Sequence, residues 1–237
     1  MGVLQYFDQF YEDKAKDEVL PKIGDIWWVP TPETNEVPRI FDATRIDSQG
    51  HNITDFEITD IKQVHFTKRG RLPIKLLTLK ETEELLIAKA KRRPCIVLAS
   101  NSINDLDKIQ SSTQKRLAGT LSKATYLVAP MYSVSTITDP GTFGPEMIAR
   151  IRAMHYPHLF CLPETDNKNN PKSIVRLDRV FPTYLQKGCA YFGKRLTEEP
   201  LAVLLSQFSH LTGGKGNEEF LLVKELVEES YNSSTTG

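Results

Sequence analysis

A run of cations, Lys89, Lys91, Arg92 and Arg93, leads into Pro94 and then into Cys95-Ile96-Val97-Leu98-Ala99-Ser100. An arginine held at the mouth of a buried strand is chemically useful. Its guanidinium is planar, keeps its charge at any physiological pH and presents paired donors that match two oxygens of a phosphate. The same residues also describe a solvated basic rim on a core strand, and this stretch alone leaves both readings open. A second candidate group is Tyr132-Ser133, two hydroxyls that follow the apolar run Thr125-Tyr126-Leu127-Val128-Ala129 and Pro130. A third is Trp27-Trp28. On a strand the two rings point to opposite faces, so one packs inward and the other is exposed, where it could stack a base. Simple packing by both is the alternative. Lys68, Arg69 and Arg71 could reach phosphates or form a solvated loop, and His51 and His65 lack metal-ligand spacing.

These residues need elements to position them. Pro94 suits the opening of a strand that carries Ile96 and Val97 on a buried surface. Ile26-Trp27-Trp28-Val29 reads as a strand entered from Gly24-Asp25 and stopped by Pro30 and Pro32. Thr125 to Ala129 is a further core strand ended by Pro130, with Met131 to Ser135 continuing extended. Leu159–Leu162 and Ser173–Leu177 flank the polar loop Thr165–Pro171, a strong hairpin signal. Phe41–Ile46 and Ile53–Ile58 flank a second turn-rich stretch, and Val64–Thr67 adds a short strand.

Helices are expected at both ends and between the strands. Val3, Phe7, Phe10 and Tyr11 predict an amphipathic helix over 3–19, closed by Pro21. Thr82 to Lys91 and Leu106 to Leu117 also read as helices, and Pro145 opens a short one over Glu146 to Met154. Thr197 is the expected N-cap of a helix whose apolar face is Leu201, Leu204, Leu205, Phe208 and Leu211. Asn217 caps a last helix through Glu229, and residues 232–237 read as a polar tail.

The composition narrows the function classes. The 237 residues hold 30 basic and 30 acidic side chains, so any nucleic-acid or membrane partner must meet a local patch, not a global field. Three widely spaced cysteines, Cys95, Cys161 and Cys189, argue for a reducing compartment and against a disulfide framework or zinc site. No apolar run approaches membrane-span length, the N-terminus lacks a signal-peptide form, and Tyr6 occupies the position where a myristoylation motif needs Ser or Thr. The expected location is the cytoplasm.

The order of these motifs resembles the MazF/PemK toxins. Gly24-Asp25-Ile26-Trp27-Trp28-Val29 matches their GD-hydrophobic strand, and Arg93-Pro94-Cys95-Ile96-Val97-Leu98-Ala99-Ser100 their RP-hydrophobic strand ending in Ser. Val128-Ala129-Pro130-Met131-Tyr132-Ser133, Ser173 to Val180 and Lys194-Arg195-Leu196 before the Thr197 helix follow in the same order. The resemblance implies an α+β chain, mainly β with added helices, built on an SH3-like curved antiparallel barrel. It divides the chain into an N-terminal helix over 1–22, a barrel domain over 23–212 with an insertion at about 31–91, and a C-terminal helix and tail over 213–237.

The function it implies is a growth-inhibiting endoribonuclease that cleaves single-stranded RNA by 2′-hydroxyl attack, with no metal and no cofactor. A homodimer and a cognate antitoxin are the implied partners. Carried over by position, Arg93 matches the family's catalytic arginine. Tyr132 stands where those toxins have threonine, with Ser133 beside it, and Arg179 stands where they have glutamine. Lys91, Arg92 and Trp27 are the expected RNA-binding residues. A non-catalytic nucleic-acid or protein-binding module on the same frame, and a barrel that merely packs, are the other readings.

Overall fold

The structure, a computed structural model, describes residues 2–13, 20–33, 36–45, 49, 54–68, 77–79, 82–101, 125–134, 143–164, 171–185, 188–215 and 218–235. The chain forms two compact units, residues 1–30 with 92–237 and residues 31–91.

The larger unit is organised on a mainly antiparallel eight-stranded sheet. Its strands are β1 (Tyr11–Asp13), β2 (Asp25–Pro32), β6 (Ala90–Asn101), β7 (Thr125–Ser133), β8 (Leu159–Pro163), β9 (Pro171–Arg176), β10 (Phe181–Thr183) and β11 (Ala190–Leu196). They lie in the order β1-β11-β2-β6-β7-β9-β8, with β10 paired to β7. Among the described residues four helices accompany it: α1 (Val3–Tyr6), α2 (Pro145–Arg152), α3 (Glu198–Leu211) and α4 (Glu218–Thr235).

Alternation along the strands separates two apolar faces. Ile26, Ile96, Leu98 and Ala129 join the main core with Val203 and Leu204 of α3 and Phe220, Val223 and Val227 of α4. Val29, Cys95, Val97, Tyr126 and Val128 form a smaller cluster, against which Trp27 and Phe181 pack. The sheet does not close into a barrel among the described residues. Its end strands nevertheless approach, because the Tyr11 phenol on β1 donates to the Pro163 carbonyl on β8 at 3.0 Å.

One corner fixes β2. Gly24 adopts a left-handed φ of +89°, a conformation that favours glycine, and a Cβ there would also push the Leu201 Cδ2 methyl of α3, 2.8 Å away, out of its place. Its N–H donates to Val97 of β6 at 2.8 Å and its carbonyl accepts from Leu196 of β11 at 3.1 Å. Asp25 follows, fully buried. It accepts from Arg195 Nε at 2.6 Å and from the Lys22 N–H at 3.0 Å.

Several expected elements change. The helix over 3–19 is one turn, Val3–Tyr6; Phe7 and Phe10 then pack edge-to-face, and Tyr11–Asp13 pairs with β11 instead. Pairing covers an edge strand that a longer helix would leave bare. β2 runs through Pro30 and Pro32, because β11 pairs with it only as far as Trp28 and the prolines forfeit no bond there. β6 opens at Ala90, four residues before Pro94, and β7 continues through Pro130, with β9 as its partner from Met131. Thr197 does cap α3 by position, but its hydroxyl donates to the Gln9 carbonyl at 2.6 Å and not to a helix N–H. Leu211 is exposed, whereas Gln207 on the same helix is buried and donates to the carbonyls of Pro157 and Leu159 at 3.0 and 2.9 Å. α4 runs on to Thr235, beyond the expected end at Glu229, and the tail expected at 232–237 is helical as far as it is described. Asn217 and the helix expected at Leu106–Leu117 lie outside the described residues; the Phe220 N–H finds its acceptor in Ser206 of α3, at 3.0 Å.

The smaller unit is a three-stranded sheet in the order β4-β3-β5, from β3 (Arg39–Arg45), β4 (Thr54–Thr59) and β5 (Leu85–Ile87). The hairpin expected at 41–58 is present, with Phe41 opposite Ile58 and stacked on Phe56 at 4.9 Å. The helix expected from Thr82 is strand, since Leu85 and Ile87 are half-buried around an exposed Leu86, a period of two. The strand expected at Val64–Thr67 is a single 3-10 turn, Gln63–Phe66, held by the Lys62 N–H donating to His65 Nδ1 at 3.0 Å.

Breaking the buried pair by Asp25→Asn removes the buried counter-ion of Arg195 and leaves it the more exposed Glu12 carboxylate at 3.9 Å. The expected cost is about 3 kcal/mol of unfolding free energy, read from the shift of the urea midpoint at unchanged slope. A loss within the error of the wild-type midpoint would show that the pair contributes nothing.

Candidate phosphate-binding site

The β6–β7 ladder ends at the pair Cys95–Pro130. Two residues further out on each strand stand Arg93 and Tyr132, on the same face. The Arg93 guanidinium carbon lies 4.3 Å from the centroid of the Tyr132 ring, a cation–π contact. Among the described residues Arg93 meets no carboxylate.

Two more arginines converge on that ring. Arg176 ends β9, and the 3-10 turn Leu177–Arg179 follows before β10 returns along β7. Side chains three apart eclipse in such a turn, so Arg176 and Arg179 face the same way. Their guanidinium carbons lie 5.9 and 5.3 Å from the Tyr132 centroid. Arg179 Nη1 also donates to the Tyr132 hydroxyl oxygen at 3.1 Å.

Asp178 binds Arg176 through two hydrogen bonds of 2.7 and 2.5 Å, a fork-on-fork geometry that fixes the guanidinium plane. Burial opposes ionisation of Asp178, but the hydrogen bonds and charge of Arg176 outweigh it and hold the carboxyl below its ordinary range. The same hydrogen bonds raise Arg176, against desolvation. Three guanidiniums therefore surround one phenol ring, with the Asp178 carboxylate bound to one of them. An anion with several oxygens, such as a phosphodiester, fits that balance.

The structure divides the remaining expected site residues. Ser133 follows Tyr132 on β7, so alternation turns it to the other face, where its register partner is Ser173. Arg92 likewise leaves the face of Arg93, and its guanidinium lies 5.8 Å from the ring of Trp28. Lys91 is exposed and belongs to the smaller unit. Trp27 packs on the smaller apolar cluster with its ring 5.6 Å from Tyr191, which makes it the packing tryptophan. Trp28, half-buried like Trp27, lies on the opposite face beside an exposed Phe192 at 5.6 Å.

Arg176 and Arg179 carry only a faint sequence signal, an arginine pair three apart at the end of an expected strand. Among the described residues no group of three or more His, Cys, Asp or Glu lies where it could hold a metal ion. A cavity of about 420 Å³ lies elsewhere, floored by Phe7, Val203 and Leu222 and bordered by Asp8, Glu199 and Glu219, whose charge repels a phosphate. No helix among the described residues is long and apolar enough to cross a membrane. No family model, curated protein or solved structure matches this chain.

The cysteines separate by environment. Burial pushes the Cys161 thiol up to about 12, with Arg152 pulling weakly the other way, and Cys95 is fully buried. Cys189 is half-buried. Iodoacetamide on the native protein is expected to modify Cys189 first and to reach Cys95 and Cys161 only after denaturation. Peptide mapping that finds Cys161 labelled in the native state would contradict this packing.

Proposed function

We propose that this protein is a MazF/PemK-like endoribonuclease that cleaves single-stranded RNA without a metal, with its phosphate site at Arg93 and Tyr132. Its sheet is then an enlarged, open form of the curved barrel of those toxins. The observation that carries the reading is the Arg93 guanidinium, without a carboxylate among the described residues, lying over the Tyr132 ring at 4.3 Å. The order of the GD, RP and late Arg-Leu motifs supports it from the sequence.

In the reaction the 2′-oxygen of one nucleotide attacks the adjacent phosphorus. The bond from phosphorus to the 5′-oxygen of the next nucleotide breaks, leaving a cyclic phosphate and a free 5′-hydroxyl. Negative charge builds on the non-bridging oxygens, and Arg93 is placed to neutralise it. The Tyr132 oxygen accepts from Arg179, and its own O–H then donates to the phosphate.

The two departures from the family pattern touch each other. Tyrosine in place of threonine carries its hydroxyl farther from the backbone, and arginine in place of glutamine meets it there at 3.1 Å. A second reading, binding of RNA without cleavage, rests on the stacking itself. A guanidinium that spends one side on a ring has fewer donors left for a phosphate. A cognate antitoxin that covers the arginine cluster, and a homodimer, belong to the first reading; light scattering tests the dimer.

Cleavage of a single-stranded RNA separates the two readings. Arg93→Ala is expected to lower the rate a few hundredfold, about 3 kcal/mol, and Arg93→Lys to restore little, because an ammonium cannot bind two oxygens in one plane. Unchanged cleavage by a folded Arg93→Ala protein would remove this arginine from the mechanism. Tyr132→Phe keeps the ring under Arg93 and deletes the hydroxyl; the expected loss is about 2 kcal/mol in the rate at saturating RNA. Full activity in Tyr132→Phe would reduce Tyr132 to a stacking surface.

A further inference from the structure

Beyond the arginine cluster, the opposite face of the same strand end holds a second set of groups. Consecutive residues of β6 point to opposite faces, so where Arg93 meets Tyr132, Arg92 meets Trp28. The Arg92 guanidinium carbon lies 5.8 Å from the Trp28 ring, and the Phe192 ring lies 5.6 Å from it on the other strand. Phe192 is 38% exposed, a large aromatic side chain left at the surface. It sits where the β11–β2 register shifts between Tyr191 and Arg195. The neighbouring Gly193 has a φ of +103°, a backbone conformation that turns the strand at this point. Register shifts of this kind re-aim side chains and are frequent beside binding sites.

We propose that Trp28 and Phe192 form a base-stacking platform for single-stranded RNA, with Arg92 as its phosphate cation. The inference rests on the ribonuclease reading and adds to it how the strand is held beside the cleavage point. Two aromatic faces accept any base, because every base has a π-face, and an adjacent arginine supplies the charge complement of the backbone. Arg92 and Arg93 are neighbours at a strand end that has already parted from β7, since the ladder stops at Cys95. Arg93 then serves one face of β6 and the platform the other. The platform gives affinity without sequence preference, whereas the arginine cluster acts on the phosphate to be cut.

The test is binding of a short 2′-O-methyl single strand, labelled with fluorescein, in which the attacking hydroxyl is blocked and no cleavage intrudes. The wild-type protein is expected to bind it. Trp28→Ala should weaken binding about tenfold to a hundredfold, while Trp28→Phe keeps most of it. Phe192→Ser, at an exposed position, should weaken binding too and covers the case in which Trp28→Ala fails to fold. Arg92→Ala should reduce the slope of log affinity against log salt by about one. If the wild type binds and both Trp28→Ala and Phe192→Ser bind equally well, the platform is overturned while the ribonuclease reading stands. If the wild type neither binds this strand nor cleaves RNA, both fall together. Unchanged RNA affinity with loss of a self-associated species in Phe192→Ser would make the patch a protein contact and would also overturn the platform.

Discussion

The buried ion pair between Asp25 and Arg195 is the constraint on which the geometry of the larger unit depends. Asp25 has no exposed surface, and Arg195 Nε reaches its carboxylate at 2.6 Å. An uncompensated charge at that depth is costly, so the strands carrying the two residues stay in register. That register sets β11 against β2, while the Gly24 N–H donating to Val97 sets β2 against β6. Trp28 then comes beside Arg92, and Arg93 arrives at the end of its ladder opposite Tyr132. The glycine before the pair is constrained as well, because its φ of +89° strains any other residue.

The arginine cluster shows the opposite economy. Three like charges around one ring repel one another, and Asp178 stands beside one of them. The quadrupole of the tyrosine face offsets part of that repulsion, and its partial exposure to water screens more. What remains is a positive potential aimed at one small region of the surface. In a chain whose formal charges cancel overall, such a concentration is how a local anion site is made.

Much of the strand framework was legible because its residues state one structure at every level. Ile26 to Val29, Cys95 to Ala99, Leu159 to Leu162 and Ser173 to Val175 are apolar, β-favouring and bounded by turn residues, and all lie in the sheet. The α3 helix was legible for the same reason. The failures were tertiary. Phe7, Phe10 and Tyr11 fit a helical period, but Tyr11 pairs with Leu196 across 185 residues of sequence, which no local pattern encodes. Thr82 to Lys91 is rich in helix formers, and pairing with β3 overrides that propensity. At the site, the Arg93–Tyr132 meeting was readable from motif order. The contributions of Arg176 and Arg179 were not, because they depend on a 3-10 turn that brings a strand end back onto β7. The two tryptophans were assigned to opposite faces as strand geometry demands, but which of them faced the core depended on where β11 lay.

Why the site opens at this place and no other follows from two prolines. Pro94 and Pro130 lie on neighbouring strands at the level where the β6–β7 ladder stops, Pro130 directly opposite Cys95. Neither can donate a backbone hydrogen bond, so continuing the ladder outward past them gains less than an ordinary pair of strands would. β7 keeps a partner on its other edge, β9 from Met131 to Ser133, and β6 runs on without β7. The parting of the strands is therefore written into residues that cannot support their pairing. It leaves Arg93 and Tyr132 side by side on one face, with Arg92 and Trp28 on the other. It also lets Arg176 and Arg179 approach Tyr132 from β9, the strand that β7 has just joined.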